Sequence, residues 1–169
     1  MTITVRNRVI LSGTALIILF TASFILSVSF IFRTIPAPTL DFDDQSSIVP
    51  LALAILCELI FCAIAVVVLY FSFRKTASAE IFLFILFLIS MSFDALKMYH
   101  MLFEVIVIPP YYGTIITRAI CFGRFFGVLC IFGCGLFTTG MQYERLEIVL
   151  ISGILLAFAL SATIPIDMT

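Results

Sequence analysis

Residues 81 to 108 read IFLFILFLISMSFDALKMYHMLFEVIVI, an apolar run of membrane-spanning length that carries titratable residues in its second half. At about 100° per residue, the polar side chains fall within roughly a third of the helix circumference. These side chains are Ser90, Asp94, Lys97, His100 and Glu104. An uncompensated charge at membrane depth costs about 3 kcal/mol, so we expect this polar stripe to face a protein interior or a water-filled cavity.

The composition of the whole chain is typical of a membrane protein. Hydrophobic residues make up 63% of the 169 residues and charged residues only 11%, whereas soluble domains carry about 25% charged residues. The formal net charge is −1 and the chain has no basic tail, which argues against binding to nucleic acid. We therefore expect the lipid bilayer to be the main partner of this chain.

Apolar segments of spanning length follow one another along the chain and are separated by short polar or proline-containing connections. They predict helices over residues 9–32, 48–73, 81–106, 114–139 and 147–166. The predicted fold is an all-α membrane protein, a single polytopic bundle of five transmembrane helices without a soluble domain. The first apolar run is too long for the core of a cleavable signal peptide, so we expect it to be retained.

The distribution of basic residues predicts the orientation of the bundle. Five basic residues lie in segments on the N-terminal side of the membrane: Arg6, Arg8, Arg74, Lys75 and Arg145. Only Arg33 lies in a connection on the other side. Because positively charged connections stay inside, we expect a cytoplasmic N-terminus and a location in the cell membrane, meaning the cytoplasmic membrane of a bacterium.

Charged residues of three predicted helices fall at matching depths. Counting 1.5 Å per residue places Glu58, Asp94 and Arg124 near the middle of the bilayer, with Lys97 slightly above them. Glu104 and Arg118 lie close to the outer surface by the same count. The predicted pairs are Asp94 with Arg124, Glu104 with Arg118 and Glu58 with Lys97, and an i, i+3 pair of Asp94 with Lys97 is the local alternative.

The fourth predicted helix carries a face of small residues. These are Gly123, Gly127, Cys130 and Cys134, which project within roughly 60° of one another. Such a face allows another helix to approach closely. It is interpreted as close packing within this protein, and a dimer seam or a chance GxxxG spacing are the alternatives.

Metal, cofactor and catalytic motifs are not recognisable in the sequence. The five cysteines lie in apolar runs and are expected to pack as small apolar residues, without disulfides or zinc. The acidic loop Asp41, Asp43 and Asp44 is expected to be solvated. Ser90 and Ser92 stand roughly 12 to 15 Å from the single histidine, too far for a nucleophile and its base. No enzyme activity, cofactor or metal is therefore predicted.

The polar cluster leaves three interpretations open: an ionic cluster that fixes helix register, a ligand-binding or signal-sensing pocket, and a proton or ion pathway. We expect a non-enzymatic, sensor-like or assembly component, and a small ion- or proton-coupled transporter or channel subunit is the alternative. In architecture alone, the predicted bundle resembles the membrane input module of a bacterial receptor. The chain is also compatible with a part of a larger multi-span unit, with a partner subunit or with a homo-oligomer.

Overall fold

The computed structural model describes residues 3–34, 42–73, 78–97, 99, 109–140 and 145–164. Within these ranges the chain forms helices and no strands. The elements are α1 (Ile3–Thr34), α2 (Phe42–Phe73), α3 (Ala79–Met91), a 3-10 segment (Ser92–Leu96), α4 (Pro110–Thr138) and α5 (Leu146–Thr163). Five helical stretches in the described ranges are long and apolar enough to cross a membrane, as the sequence predicts.

The structure begins three helices more than one turn earlier than predicted: α1 at Ile3, α2 at Phe42 and α4 at Pro110, against predicted starts at residues 9, 48 and 114. α2 begins at Phe42, whereas the sequence predicted a loop up to residue 47. Asp43 and Asp44 therefore belong to the first turn of this helix. Pro50 lies inside the helix as a consequence, and its ring removes one backbone hydrogen bond without ending the helix.

α3 is the central element of the bundle. It packs against α1, α2 and α4, and α5 packs against α4. Half of the residues in the α3 span are buried, whereas 17% of the residues in the α1 and α5 spans are buried. The largest fully buried side chains come from four of the helices: Ile17, Leu59, Val66, Phe82, Ile85 and Leu146. The polar residues that follow α3 are thus attached to the best-packed helix of the protein.

The outer surface is apolar and suits a lipid environment. Large side chains such as Leu26, Phe61 and Phe71 are exposed, which a soluble protein would avoid over so wide an area. Hydroxyl groups on this surface bond to their own helix: Ser12 Oγ donates to Val9 O at 2.8 Å, and Ser29 Oγ donates to Ile25 O at 2.8 Å. Polar groups satisfied within one helix can lie in hydrocarbon at low cost.

Candidate functional site: an ionic cluster beside a break in the third helix

The third predicted helix changes its geometry at the polar cluster. α3 ends at Met91, and the chain continues as a 3-10 helix over Ser92–Leu96 before Lys97 and Tyr99 return to α-helical geometry. The sequence predicted a helix over residues 81–106; residues 81–97 are helical throughout, with a change from α to 3-10 geometry at Ser92, and most of the remainder lies outside the described residues. Stretches of 3-10 geometry within a helix often mark a hinge or a strained sequence.

Two serine side chains bond back to the preceding turn at the break. Ser90 Oγ donates to Phe87 O at 2.7 Å, and Ser92 Oγ donates to Ile89 O at 2.6 Å. The backbone N–H of Ser92 also donates to Ile89 O, which is a 3-10 hydrogen bond. Serine hydroxyls that bond back to the preceding turn compete with the regular α-helical pattern and bend helices. Ser92 is fully buried, so its hydroxyl has to find a partner within the protein.

Asp94 lies between two cations. Lys97 Nζ donates to Asp94 Oδ2 at 2.7 Å, and Arg124 Nε donates to Asp94 Oδ1 at 3.3 Å. Side chains at i and i+3 eclipse one another in a 3-10 helix, which places Lys97 directly over Asp94. Arg124 reaches the same carboxylate from the antiparallel helix α4. Both pairings of Asp94 that the sequence suggested are therefore present.

Glu58 is the fourth charged member of the cluster. It is half-buried on α2, and it interacts electrostatically with Asp94, Lys97 and Arg124. Among the described residues it makes no direct ion pair, so the predicted contact with Lys97 is a longer-range attraction. We use the term ionic cluster for Glu58, Asp94, Lys97 and Arg124. The cluster carries two negative and two positive charges and is formally neutral, which lowers the cost of removing it from water.

The cluster occupies one level of the bundle. Glu58 lies about 23 Å from the end of α2 at Phe73, and Asp94 lies about 23 Å from the start of α3 at Ala79, at 1.5 Å per residue. Arg124 lies about 21 Å from the end of α4 at Thr138 by the same count, in the middle of the Tyr111–Thr138 span. In a bilayer the cluster would thus lie deep in the hydrocarbon region.

The Arg124 side chain is the exposed part of the cluster. It is 60% exposed, against 32% for Lys97 and 16% for Asp94. A cation of this kind at the centre of a spanning helix costs about 3 kcal/mol on insertion scales unless it is paired or hydrated. Asp94 compensates only part of its charge, because that carboxylate also binds Lys97. The geometry therefore leaves a polar surface on an otherwise apolar helix.

The predicted small-residue face of α4 lies against α3. Gly123 and Cys130 are buried there, and a methyl group on Gly123 would come within 2.6 Å of Phe93 Cβ. A methyl group on Gly127 would meet Ser90 Oγ at 2.6 Å. Cys134 closes the contact, since its thiol donates to Glu80 O at 3.4 Å. The two helices approach so closely that there is no room for side chains at these glycines.

This packing also explains the exposure of Arg124. Successive residues of an α-helix are separated by about 100°, so burying Gly123 against α3 turns Arg124 sideways, away from the core. Phe93 packs the 3-10 segment against two neighbouring helices. Its ring lies edge-on to Phe20 of α1 and to Phe122 of α4, with ring centroids 5.5 Å and 6.2 Å apart. Asp94, the next residue, is turned by about 120° from Phe93 in 3-10 geometry, and its carboxylate reaches Arg124 of α4.

The remaining predicted site residues lie apart from the cluster or outside the described residues. Ser90 is buried against Gly127 and takes no part in the ion pairs. Arg118 is exposed and lines a cavity of about 280 Å³ together with Phe158 and Ser161 of α5. His100 and Glu104 lie outside the described residues, as does the predicted pair of Glu104 with Arg118.

An apolar groove is the main feature that sequence reasoning missed. It has a volume of about 580 Å³ and runs between α1, α3, α4 and α5. Its floor includes Phe93 and the parallel rings of Phe122 and Phe126, whose centroids lie 5.9 Å apart. The high phenylalanine content, 19 residues in the chain, is the signal that points to such a surface. A periodicity argument cannot tell which of these rings line a groove and which fill the core.

The cysteines of the described chain are free thiols. Cys62 and Cys130 are buried, Cys121 and Cys134 are half-buried, and Cys57 is exposed. The described residues contain no group of histidine, cysteine and acidic side chains that could hold a metal ion. The charged chemistry of the described chain is therefore concentrated in the ionic cluster.

The described part of the chain is all-helical, and its five apolar helices are compatible with a multi-pass membrane protein. In such a protein the apolar outer surface implies a lipid environment. Comparison with known proteins narrows this class no further, since no protein family, curated protein or solved structure matches the chain.

Proposed function

We propose that this chain is a non-enzymatic, sensor-like or assembly component of the bacterial cytoplasmic membrane, with its N-terminus in the cytoplasm. In this role the ionic cluster fixes the position of α2, α4 and the 3-10 segment at one depth and offers Arg124 for contacts within the membrane. The single observation that carries the proposal is the Asp94 carboxylate, which binds Lys97 at 2.7 Å and Arg124 at 3.3 Å. Polar residues held in this way specify helix register.

Closure of the bundle below the cluster supports a structural role. The α3 segment Ala79–Met91 is densely packed, and most of its side chains are buried. Ser90 is its one buried polar side chain, and its hydroxyl bonds to Phe87 O. A pathway for ions needs polar groups or water along its length, and this part of α3 offers neither a charge nor a free hydroxyl beyond the first turn.

The second candidate function is a small ion- or proton-coupled transporter or channel subunit. It is favoured by the 3-10 segment, because transporters place their ion sites where helices depart from regular geometry near the middle of the membrane. Glu58 adds a carboxylate without a direct ion pair among the described residues. Such a group at this depth could bind and release a proton.

Flux and stability measurements on the same variants separate the two functions. Purified protein in liposomes is tested for proton and ion flux, comparing the wild type with Asp94→Asn, Glu58→Gln and Arg118→Gln as the control. We expect flux equal to that of empty liposomes for all four, together with a loss of thermal stability that is large for Asp94→Asn, small for Glu58→Gln and absent for Arg118→Gln. Flux in the wild type that Asp94→Asn or Glu58→Gln abolishes would replace the proposal with the transporter.

A further inference from the structure

The open side of the ionic cluster lies between α2 and α4. Glu58 stands on α2 and Arg124 stands on α4, and both act on Asp94 of the 3-10 segment. α2 and α4 each pack against the central α3 rather than against each other. The acid and the base therefore lie on two helices that flank the cluster, and the Arg124 side chain is 60% exposed.

The surface around Arg124 continues as an apolar helix face. Val128 and Ile131 follow Arg124 at helical spacing and are 65% and 49% exposed. Gly135 ends the row, and a methyl group there would meet open space. Lipid chains can cover the aliphatic residues of this face, but they offer no partner for a guanidinium group. A protein partner that covers this face has to bring an acid to the level of Arg124.

A second copy of the chain brings an acid to that level. In a twofold dimer whose axis is parallel to the membrane normal, each residue keeps its depth. Glu58 and Arg124 lie about 23 Å and 21 Å from the ends of their helices on the same side of the bundle. Because the acid is on α2 and the base is on α4, a rotation axis between these helices places each opposite the other residue of the second copy.

We infer that the α2–α4 side of the bundle is a homodimer interface, in which Glu58 of each copy pairs with Arg124 of the other. Two such pairs form in each dimer, and the interface uses the same surface on both copies. The inference rests on the proposed function, since it treats the ionic cluster as an assembly device. An anionic lipid is a poorer partner here, because its headgroup lies at the membrane surface and Arg124 lies at mid-span.

Self-association in liposomes tests the interface. Protein labelled with donor and acceptor dyes is diluted into lipid, and energy transfer is followed as a function of the protein-to-lipid ratio. We expect Glu58→Gln and Arg124→Gln each to weaken association roughly tenfold or more, since each removes both pairs of the dimer. Arg118→Gln is the matched control, because it removes an exposed arginine from the α5 side of the same helix, and it should associate like the wild type.

Native cysteines allow a second measurement on the unaltered protein. Cys57 is exposed beside Glu58, and Cys121 is half-buried one turn before Arg124. At 1.5 Å per residue, Cys57 lies about 24 Å from the end of α2 at Phe73, and Cys121 lies about 26 Å from the end of α4 at Thr138. A membrane-permeant oxidant should therefore join Cys57 of one copy to Cys121 of the other and give a covalent dimer on a non-reducing gel. Cys57→Ser and Cys121→Ser should lose this dimer, whereas Cys62→Ser, at a buried thiol, should keep it.

The outcomes separate this inference from the proposed function. A wild type that stays monomeric at every protein-to-lipid ratio overturns the dimer. The dimer interface is also overturned if Glu58→Gln and Arg124→Gln associate as strongly as the wild type and no Cys57–Cys121 product forms. Another face or another protein then covers the cluster. Either result in a protein without flux leaves the proposed function standing. Flux that is lost in Asp94→Asn would contradict the proposed function. The dimer interface would then be tested by the association measurements alone.

Discussion

The two faces of α4 differ although they are formed by neighbouring residues. On one face Gly123, Gly127 and Cys130 are buried, and the backbone of α4 comes close to α3. On the other face Arg124 and Val128 are largely exposed. The comparison teaches that close packing of small residues determines the rotation of the helix, and that the rotation in turn determines where its charge is presented.

The largest loss of stability should come from removing the carboxylate of Asp94, which binds Arg124 of α4. Asp94→Asn takes away the direct partner of both Lys97 and Arg124 and leaves the two cations only the longer-range attraction of Glu58. We expect the free energy of unfolding in detergent to fall by about 3 kcal/mol, the low end of the range for a broken buried ion pair, because Asp94 is largely buried whereas Lys97 and Arg124 are 32% and 60% exposed. Chemical denaturation followed by circular dichroism measures it.

A double variant controls for the origin of this loss. Arg124→Gln combined with Asp94→Asn leaves only Lys97 without its partner, so part of the stability lost in Asp94→Asn should return. Additive losses in the double variant would mean that the two residues are not coupled.

A smaller loss of stability is expected from substitutions on the face of α4 that packs against α3. In Gly123→Ala the new methyl group would lie 2.6 Å from Phe93 Cβ and 3.1 Å from Ser90 O, atoms that are fixed to the backbone or part of it. We expect a loss of about 2 kcal/mol from overpacking, measured by thermal unfolding. Gly135→Ala on the same helix is the control, because no atom lies within 4 Å of the added methyl group. Equal stability of the two variants would show that α4 does not approach α3 at this glycine.

Gly127→Ala should cost less than Gly123→Ala. Its closest neighbour is Ser90 Oγ, at 2.6 Å, and the next is Phe87 Cδ2 at 3.4 Å. A hydroxyl can rotate away, although it then gives up its bond to Phe87 O. We expect a loss of about 1 kcal/mol, the net value of one hydrogen bond. Thermal unfolding of the double variant with Ser90→Ala should recover part of this loss, and no recovery would assign the clash to another neighbour.

The smallest loss of stability is expected from substitutions on the exposed face of α4, which carries Arg124 and Val128. Val128→Ala removes methyl groups from a side chain that is 65% exposed, so the stability of the detergent-solubilised monomer should change by less than about 0.5 kcal/mol. Thermal unfolding next to Gly123→Ala provides the direct comparison. A loss as large as that of Gly123→Ala would show that this face is packed within the chain and is not open.

The spans and one ion pair follow from simple properties of the sequence. Apolar runs of sufficient length predict the five helices, because a bilayer imposes both the composition and the minimum length. The pair of Asp94 with Arg124 follows from counting residues, since a short connection makes the helices antiparallel and fixes their relative depth. Counting gives depth only, and it says nothing of rotation around the helix axis.

The features that sequence reasoning missed depend on local competition and on rotation. The 3-10 segment arises where Ser90 and Ser92 bond to preceding carbonyl groups, and a search for a 3.6-residue period assumes that no such competition occurs. The direct contact predicted between Glu58 and Lys97 became a longer-range attraction, because the 3-10 geometry commits Lys97 to Asp94. That Arg124 is exposed follows only when Gly123 is known to face α3.

The 3-10 segment also sets a geometric relation between the two ends of the third helix. Each 3-10 residue advances the chain by about 2.0 Å and 120°, whereas each α-helical residue advances it by about 1.5 Å and 100°. Over the five residues Ser92–Leu96, conversion to α geometry would shorten the chain by about 2.5 Å and unwind it by roughly 100°. A continuous α-helix would therefore place Lys97 about 2.5 Å closer to Met91 along the helix axis and turned by roughly 100° from its present direction.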